Sequence, residues 1–331
     1  MQINSTYTPN ISMKDTLRAI SLINELIIKH FKEKYEITKI ELPAFYRKDS
    51  ELLLPIDNIT RKIKFDFGES YDIATFPLHY ANWRRLMLKK LEAESGEAIQ
   101  TEGFTVWRDE EVSNVNSLVR DELTFSIVLE DEVNKKKVLS SITKEVTILI
   151  NKIGQIIEEE YQVKKKTPNY WPTIETQLLE NEMPRLDAQQ KEKEILGEYS
   201  GFILNQPGKK TLQGKVHRQK PPQVYDLYYQ NTIIINDRVN YLPIHVADIS
   251  FYANKTTLSD QLNMFTLEEY TDSPFYKSII DGEHKEAIEI KIHKSQLYMA
   301  LLGKGHIGEV QANVESLKVR KSALKDKVYF I

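Results

Sequence analysis

Residues 288–311 read IEIKIHKSQLYMALLGKGHIGEVQ, and the hydrophobic period changes within them. Ile288, Ile290 and Ile292 alternate with Glu289, Lys291 and His293, the period of two of a strand with one buried face. The chain then runs into an apolar helix that stops at Gly303, Gly305 and Gly308. Both patterns recur outward along the chain. MKDTLRAISLINELIIKHFKEKY puts Leu17, Ile20, Ile23, Leu26, Ile27 and Phe31 on one helical stripe, capped by Ser12 or Asp15. ITKIELPAF alternates into Pro43, TRKIKFDFGESYDIATF reads as a hairpin turning near Gly68, and YANWRRLMLKKLEAE returns to helix. Short strands follow at EGFTVWRDE and SLVRDELTFSIVLE, then a long amphipathic helix over about residues 131–161.

Beyond it, TIETQLLEN and QQKEKEILGEY read as helices and GFILN as a short buried strand. QPGKKTLQGKVHRQKPPQ is a basic loop, solvated and mobile by composition. VYDLYYQNTIIIND and VNYLPIHVADISFYAN are two strands with a turn around Asp237 and Arg238, followed by helices. Strand runs interrupted by long helices, with hairpin connections, argue for an α+β fold around a mainly antiparallel sheet flanked by helices. The basic stretch Val163–Tyr170 does not divide it, because the pattern resumes at once, so residues 1–331 are expected to form a single domain.

Composition bounds the function. Hydrophobic residues make up 41% of 331, enough for a substantial core. With 45 Lys and Arg against 48 Asp and Glu, the net charge of -3 gives no whole-molecule pull toward nucleic acid or anionic lipid. There is no cysteine, hence no disulfide, thiolate metal site or cysteine nucleophile, and the seven His residues form no HxxxH pair. No apolar run approaches the ~18–20 residues of a membrane-spanning helix, and MQINSTYTPNISMKD carries no basic and then apolar signal. A cytoplasmic protein without a membrane partner is expected.

HIGEVQANV, residues 306–314, resembles the end of the ammonia-dependent asparagine synthetases, the A-type aspartate–ammonia ligases. The core of that family is similar to class II aminoacyl-tRNA synthetases, especially those for Asp and Asn. Other matches come in the family's order. IELPAF (40–45) resembles its EVQAPI-like strand, and YDIATFPLHYANWRRLML its strand leading to a SLAKWKR-like helix. NSLVRDELTFSIVL resembles a segment of HSVYVDQWDWE type, and LLENEMPRLDAQQKEKEILGEYSGFIL the LLSRYPDLDAKGRE segment and the strand beyond. The resemblance covers roughly residues 15–325. It implies a class II synthetase-like core and a homodimer built through about residues 15–50. It also implies a two-step reaction, in which the aspartate side chain attacks ATP to give an aspartyl adenylate and ammonia then displaces AMP.

Carried over residue by residue, the resemblance implies many departures. WRDE supplies Arg108 and Glu110 for the α-phosphate, and these with Arg84 are the catalytic candidates. The GGGIGQSRL-like strand becomes EIKIHKSQL, so Glu289, Ile290, Lys291 and His293 stand for glycines that let a nucleotide approach the backbone, and Gln296 stands for an Arg. Thr232 and His245 fall on metal-linked carboxylates and Tyr252 on an Arg. Asp248 is a displaced acid, but three residues along a strand changes face. In the amino-acid pocket His79 replaces Ser, Asn82 and Arg84 replace two lysines, and Glu122 and Thr124 replace Gln and Asp. Gln223 and Tyr225 replace acids, Asp226 remains, and Asp57 stands for an Asp facing the amino group. The substrate-contact candidates are Asp57, His79, Glu122, Asp226, His245 and Asp248. Thr232, His245, Tyr252, Lys291, His293 and Gln296 make up a degenerate nucleotide site, and no metal site is expected.

The expectation is a non-catalytic relative without a cofactor, acting by binding as a regulatory or scaffolding homodimer, or as a heteromer with a partner protein or active relative. The alternative is an ATP- and Mg-dependent amide-forming ligase with another acid or amine. Arg108, Glu110, Arg84, His217 and Arg218 would then form an anion site, with Asp248, His245 and Glu122 as substrate groups. RNA binding through KKTLQGKVHRQK (209–220) or the lysines at 164–166 is disfavoured, since the protein is slightly acidic and the loop lacks aromatic residues for stacking.

Overall fold

The computed structural model describes residues 7–52, 61–68, 72–164, 167–312, 317–325 and 327–331. Helix α1 (Met13–Lys32) starts where Ser12 Oγ accepts the Asp15 amide at 3.1 Å, satisfying one N–H that the helix cannot. Then come β1 (Glu36–Lys39), β2 (Tyr46–Arg47), β3 (Lys64–Phe67), β4 (Asp72–Thr75), α2 (Ala81–Lys90), β5 (Glu97–Val106), β6 (Val119–Val128) and α3 (Lys135–Tyr161). They are followed by β7 (Thr173–Glu175), α4 (Thr176–Glu182), α5 (Ala188–Glu198), β8 (Gly201–Asn205), β9 (Tyr225–Asp237) and β10 (Leu242–Tyr252). The last elements are α6 (Lys255–Phe265), α7 (Pro274–Ile280), β11 (Ala287–His293), α8 (Lys294–Leu302) and α9 (Leu317–Lys325).

Eight of the described strands form one sheet, ordered β1-β5-β6-β11-β10-β9-β8-β7, and β2-β4-β3 form a smaller one. Within the large sheet only the outermost pairs, β1 with β5 and β7 with β8, are parallel. The inner pairs are antiparallel, as the hairpin pattern predicts. No described helix is long and apolar enough to cross a membrane.

Alternation gives the large sheet two unlike faces. Ile288, Ile290 and Ile292 pack with Phe125, Ile127, Ile233, Ile249 and others beneath α1, α3 and α8. Each fully buried side chain of this kind contributes about 1.5–3 kcal/mol. On α1, Ile23, Ile27 and Phe31 are buried as expected, but Leu17 is exposed and Thr16 and Ala19 take the contact line. Leu17 lies about 100° round the helix from Thr16, enough to leave the line.

The other face is polar, and a β-bulge shapes it. Pairing of β10 with β9 passes from His245–Ile234 to Ala247–Ile233, so β10 has one residue more than its partner. Val246 and Ala247 both enter the core, while His245 and Asp248 both border one cleft. This corrects the expectation that His245 and Asp248 face opposite ways, because a bulge adds the residue that restores the face.

HIGEVQ works as a clamp. Gly303 ends α8 in the left-handed conformation (φ 62), and a Cβ on Gly305 would stand 2.7 Å from the Tyr7 ring. Glu309 accepts the Gly305 and His306 amides at 3.0 Å each. The Ile307 amide donates to Asn114 O at 2.7 Å, and Gln311 Nε2 to Val119 O at 3.1 Å and Asp121 Oδ1 at 3.0 Å. These bonds tie the end of the chain to the β5–β6 connection.

Candidate functional site

Three charge clusters occupy the polar face. The innermost centres on Arg84, which α2 carries onto the sheet with no solvent exposure. Its Nε donates to Glu289 Oε2 at 2.9 Å and its Nη1 to Glu122 Oε1 at 3.0 Å. Lys291 Nζ lies 3.5 Å from Glu122 and 3.7 Å from Glu289. The Tyr225 and Tyr252 hydroxyls donate to Glu289 at 2.5 and 2.7 Å. Burial alone would raise the Glu289 carboxyl, but Arg84, then Lys291 and the two hydroxyls, hold it at about 2. His79 borders this cluster. Burial, then Lys291 and Arg84, lower its imidazole to about 3, so it is neutral.

The second cluster centres on Asp248. Its Oδ1 accepts Thr232 Oγ1 at 2.6 Å; its Oδ2 takes Lys220 Nζ at 2.7 Å and lies 3.1 Å from His293 Nε2. Burial opposes ionisation, but Lys220 and His293 outweigh it and hold the carboxyl well below its usual range. In the third cluster the fully buried Glu192 of α5 receives Arg218 through Nε at 2.8 Å and Nη2 at 2.7 Å. His217 and His245 meet the same carboxylate at 3.1 and 2.9 Å. Burial would raise Glu192, but His245, His217 and Arg218 keep it ionised.

The second and third clusters floor a cleft of about 780 Å³ that also reaches Gln296 on α8. Its far wall holds Arg120, stacked 3.8 Å from the Trp107 ring and paired with Glu110. A triphosphate entering here meets Arg120, Arg218 and Lys220, each already paired with a carboxylate. Of the acids that line the cleft, Asp248 already accepts Thr232 and Lys220, and Glu110 accepts Arg120. On β11 the alternation points Glu289, Lys291 and His293 into the space that a glycine strand would leave to a nucleotide.

The structure thus brings together Arg84, His79, Glu122, Tyr252 and Lys291 in one group, and Thr232, His245, Asp248, His293, His217 and Arg218 around the cleft floor. Arg108 does not join them: it is exposed in the turn after β5, because the strand ends at Val106. Across the hairpin it is Arg120, not Arg108, that lines the cleft. Asp226 also departs, facing the opposite side from Tyr225 and pairing with Lys135 of α3 at 3.1 Å. Asp57 lies outside the described residues. Ile290 is in the core, not the site. Glu192, Lys220 and Arg120 were missed. The basic character of 209–220 was a signal for Lys220, but Glu192 sits in a charged helical run that reads as solvated. Far from standing free, the loop is tied down: Lys215 pairs with Glu180 and Lys210 Nζ donates to Met264 O at 3.0 Å.

The profile of a family described as aspartate–ammonia ligase matches residues 14–327. The aspartate–ammonia ligase of Lactobacillus johnsonii is 27% identical over 311 residues, 93% of each chain. That of Clostridium perfringens is 25% identical over 315 residues, covering 93% of this chain and 92% of the relative. Among solved structures, asparaginyl-tRNA synthetase from Entamoeba histolytica in complex with asparaginyl-adenylate superposes with TM-score 0.63 at 11% identity, over 90% of this chain and 66% of that one. The Pyrococcus horikoshii asparaginyl-tRNA synthetase gives 0.59 at 9% identity, over 90% and 68%. The fold is that of the class II aminoacyl-tRNA synthetases, and this chain spans about two thirds of the length of those enzymes.

Proposed function

The chain belongs to the aspartate–ammonia ligase family, and from that premise we propose that it is a member that has given up ATP-dependent ligation and acts by binding, as a regulatory or scaffolding protein. The observation that carries this reading is Glu289. Its carboxylate projects from β11 into the nucleotide's expected space and is held there by Arg84, Tyr225 and Tyr252. A side chain locked by three donors does not swing aside for a ligand without leaving those donors buried and unpaired. The engaged cations of the 209–220 loop argue in the same direction against a phosphate or RNA contact there.

One observation favours the competing reading, an amide-forming ligase with another acid. His79 Nδ1 and Nε2, Thr124 Oγ1 and Arg84 Nη2 are buried without a hydrogen-bond partner among the described residues. Such groups suit a small polar ligand in the old amino-acid pocket. The two readings separate in one experiment: ATP binding by calorimetry, with pyrophosphate and AMP release from Mg-ATP over a panel of amino acids with ammonia. Neither binding nor release is expected; amino-acid-dependent pyrophosphate release would replace the first reading with the second.

A further inference from the structure

Arg85, the neighbour of Arg84 on α2, turns away from the charge clusters. It is 4% exposed, and its Nε and Nη1 have no hydrogen-bond partner among the described residues. The Tyr252 ring, 5.6 Å from the guanidinium carbon, gives a cation–π contact of modest worth. Of the nearby acids, Glu283 pairs with Lys89, Glu94 with Lys285, and Glu286 with Lys135 at 3.2 Å and Asn254 at 3.1 Å, while Glu92 lines the same cavity without forming an ion pair with Arg85. Burial lowers the Arg85 guanidinium to about 10, with Tyr252, Glu286 and Tyr276 compensating in part. A buried guanidinium in this state is costly unless a counter-charge reaches it.

A route for that counter-charge exists. Arg85 lines a cavity of about 350 Å³, at the small end of the range for ligand pockets, with walls that include Leu88, Ala93, Val128 and Ala287. We propose that this cavity binds a small organic monocarboxylate, whose carboxylate pairs with Arg85 and whose apolar part lies against those four residues. Guanidinium and carboxylate are matched in shape and hydrogen bonding. The single negative charge follows from the balance of the lining: Lys89 and Lys285 are taken up by Glu283 and Glu94, and Glu92 adds a further negative charge, so a second charge on the ligand finds no free cation and phosphate is disfavoured. The site is separate from the cleft and does not depend on whether the protein ligates.

The test is thermal unfolding of the full chain with sodium acetate, butyrate or benzoate, against sodium chloride at equal ionic strength and against inorganic phosphate. Butyrate or benzoate is expected to give a saturable rise of a few degrees. Arg85→Met should be at least as stable as the parent without ligand and should lose the rise. Ala93→Leu keeps the arginine, fills the cavity and should lose it too. No saturable rise in the parent, an equal rise in Arg85→Met, or a rise with phosphate alone overturns the proposal. If Arg85→Met does not fold, saturation-transfer NMR of benzoate with the parent and Ala93→Leu decides: equal transfer to both overturns it.

Discussion

Arg84 and Arg85 are consecutive, belong to one helix and are both buried, yet they live under opposite electrostatics. Arg84 meets two carboxylates within 3.0 Å and is held well above its ordinary pKa, burial being outweighed by Glu289 and Glu122. Arg85 meets none among the described residues and is lowered to about 10 by burial. One step along α2 turns the side chain about 100°, from the polar face of β6 and β11 toward Leu88, Ala93 and Val128. Burial therefore does not by itself say what a charge is doing. A paired charge helps to define a fold, whereas an unpaired one points beyond the chain.

The contrast is exposed to several experiments. Glu289→Gln removes the charge facing Arg84 and Lys291, and should lower the unfolding free energy by about 3–5 kcal/mol, read from urea denaturation. Arg85→Met should lose nothing. Equal losses in the two variants would mean that the arginines are not different after all.

Next in size is an acid-side dependence. Each region depresses a histidine to about 3: His79 by burial with Lys291 and Arg84, and His284 by burial with Arg85 and Lys89. Below the ordinary value of 6.5 the unfolded chain takes up a proton that folded His79 refuses, so stability falls as pH drops from 6.5 toward 3. For His79, 8% exposed, the slope is about 1.4 kcal/mol per pH unit, and His79→Gln should remove it. Between pH 6.5 and 5 His284, His306 and His245, which burial also lowers, add slopes of their own, so the His79 share is the difference between the parent and His79→Gln; Glu289, held at about 2, loses its contribution only below its unfolded value near ~4.3. An unchanged slope in His79→Gln would place the proton uptake elsewhere.

The smallest effect belongs to the rim. Glu110→Gln frees Arg120, whose side chain is 42% exposed, and should change stability by less than about 1 kcal/mol. A loss as large as that of Glu289→Gln would show that the cleft wall is as tightly bound as its floor.

The hairpin at Gly68, the antiparallel inner sheet and the helix after His293 could be read directly, because each rests on a local period or turn. Much of the candidate site could be read only as a set of residue types. His245 and Asp248 were assigned to opposite faces because a bulge at Val246 leaves no mark in an apolar run. The resemblance points to Arg108 because it counts positions along one strand, whereas the cleft is lined by Arg120 from across the hairpin. Nothing in QQKEKEILGEY separates Glu192 from its charged neighbours, since the residues that pair with it come from β10 and the loop before β9.

What the residues alone settle is which positions are apolar and with what period, and hence that β11 has one face for the core and one for charge. Which charge meets which is settled by packing. Arg84 and Glu289 stand 205 residues apart, and they meet only because strand register and one helix rotation place them 2.9 Å from each other. Periodicity is a property of neighbours along the chain; the pairing of buried charges belongs to neighbours in space.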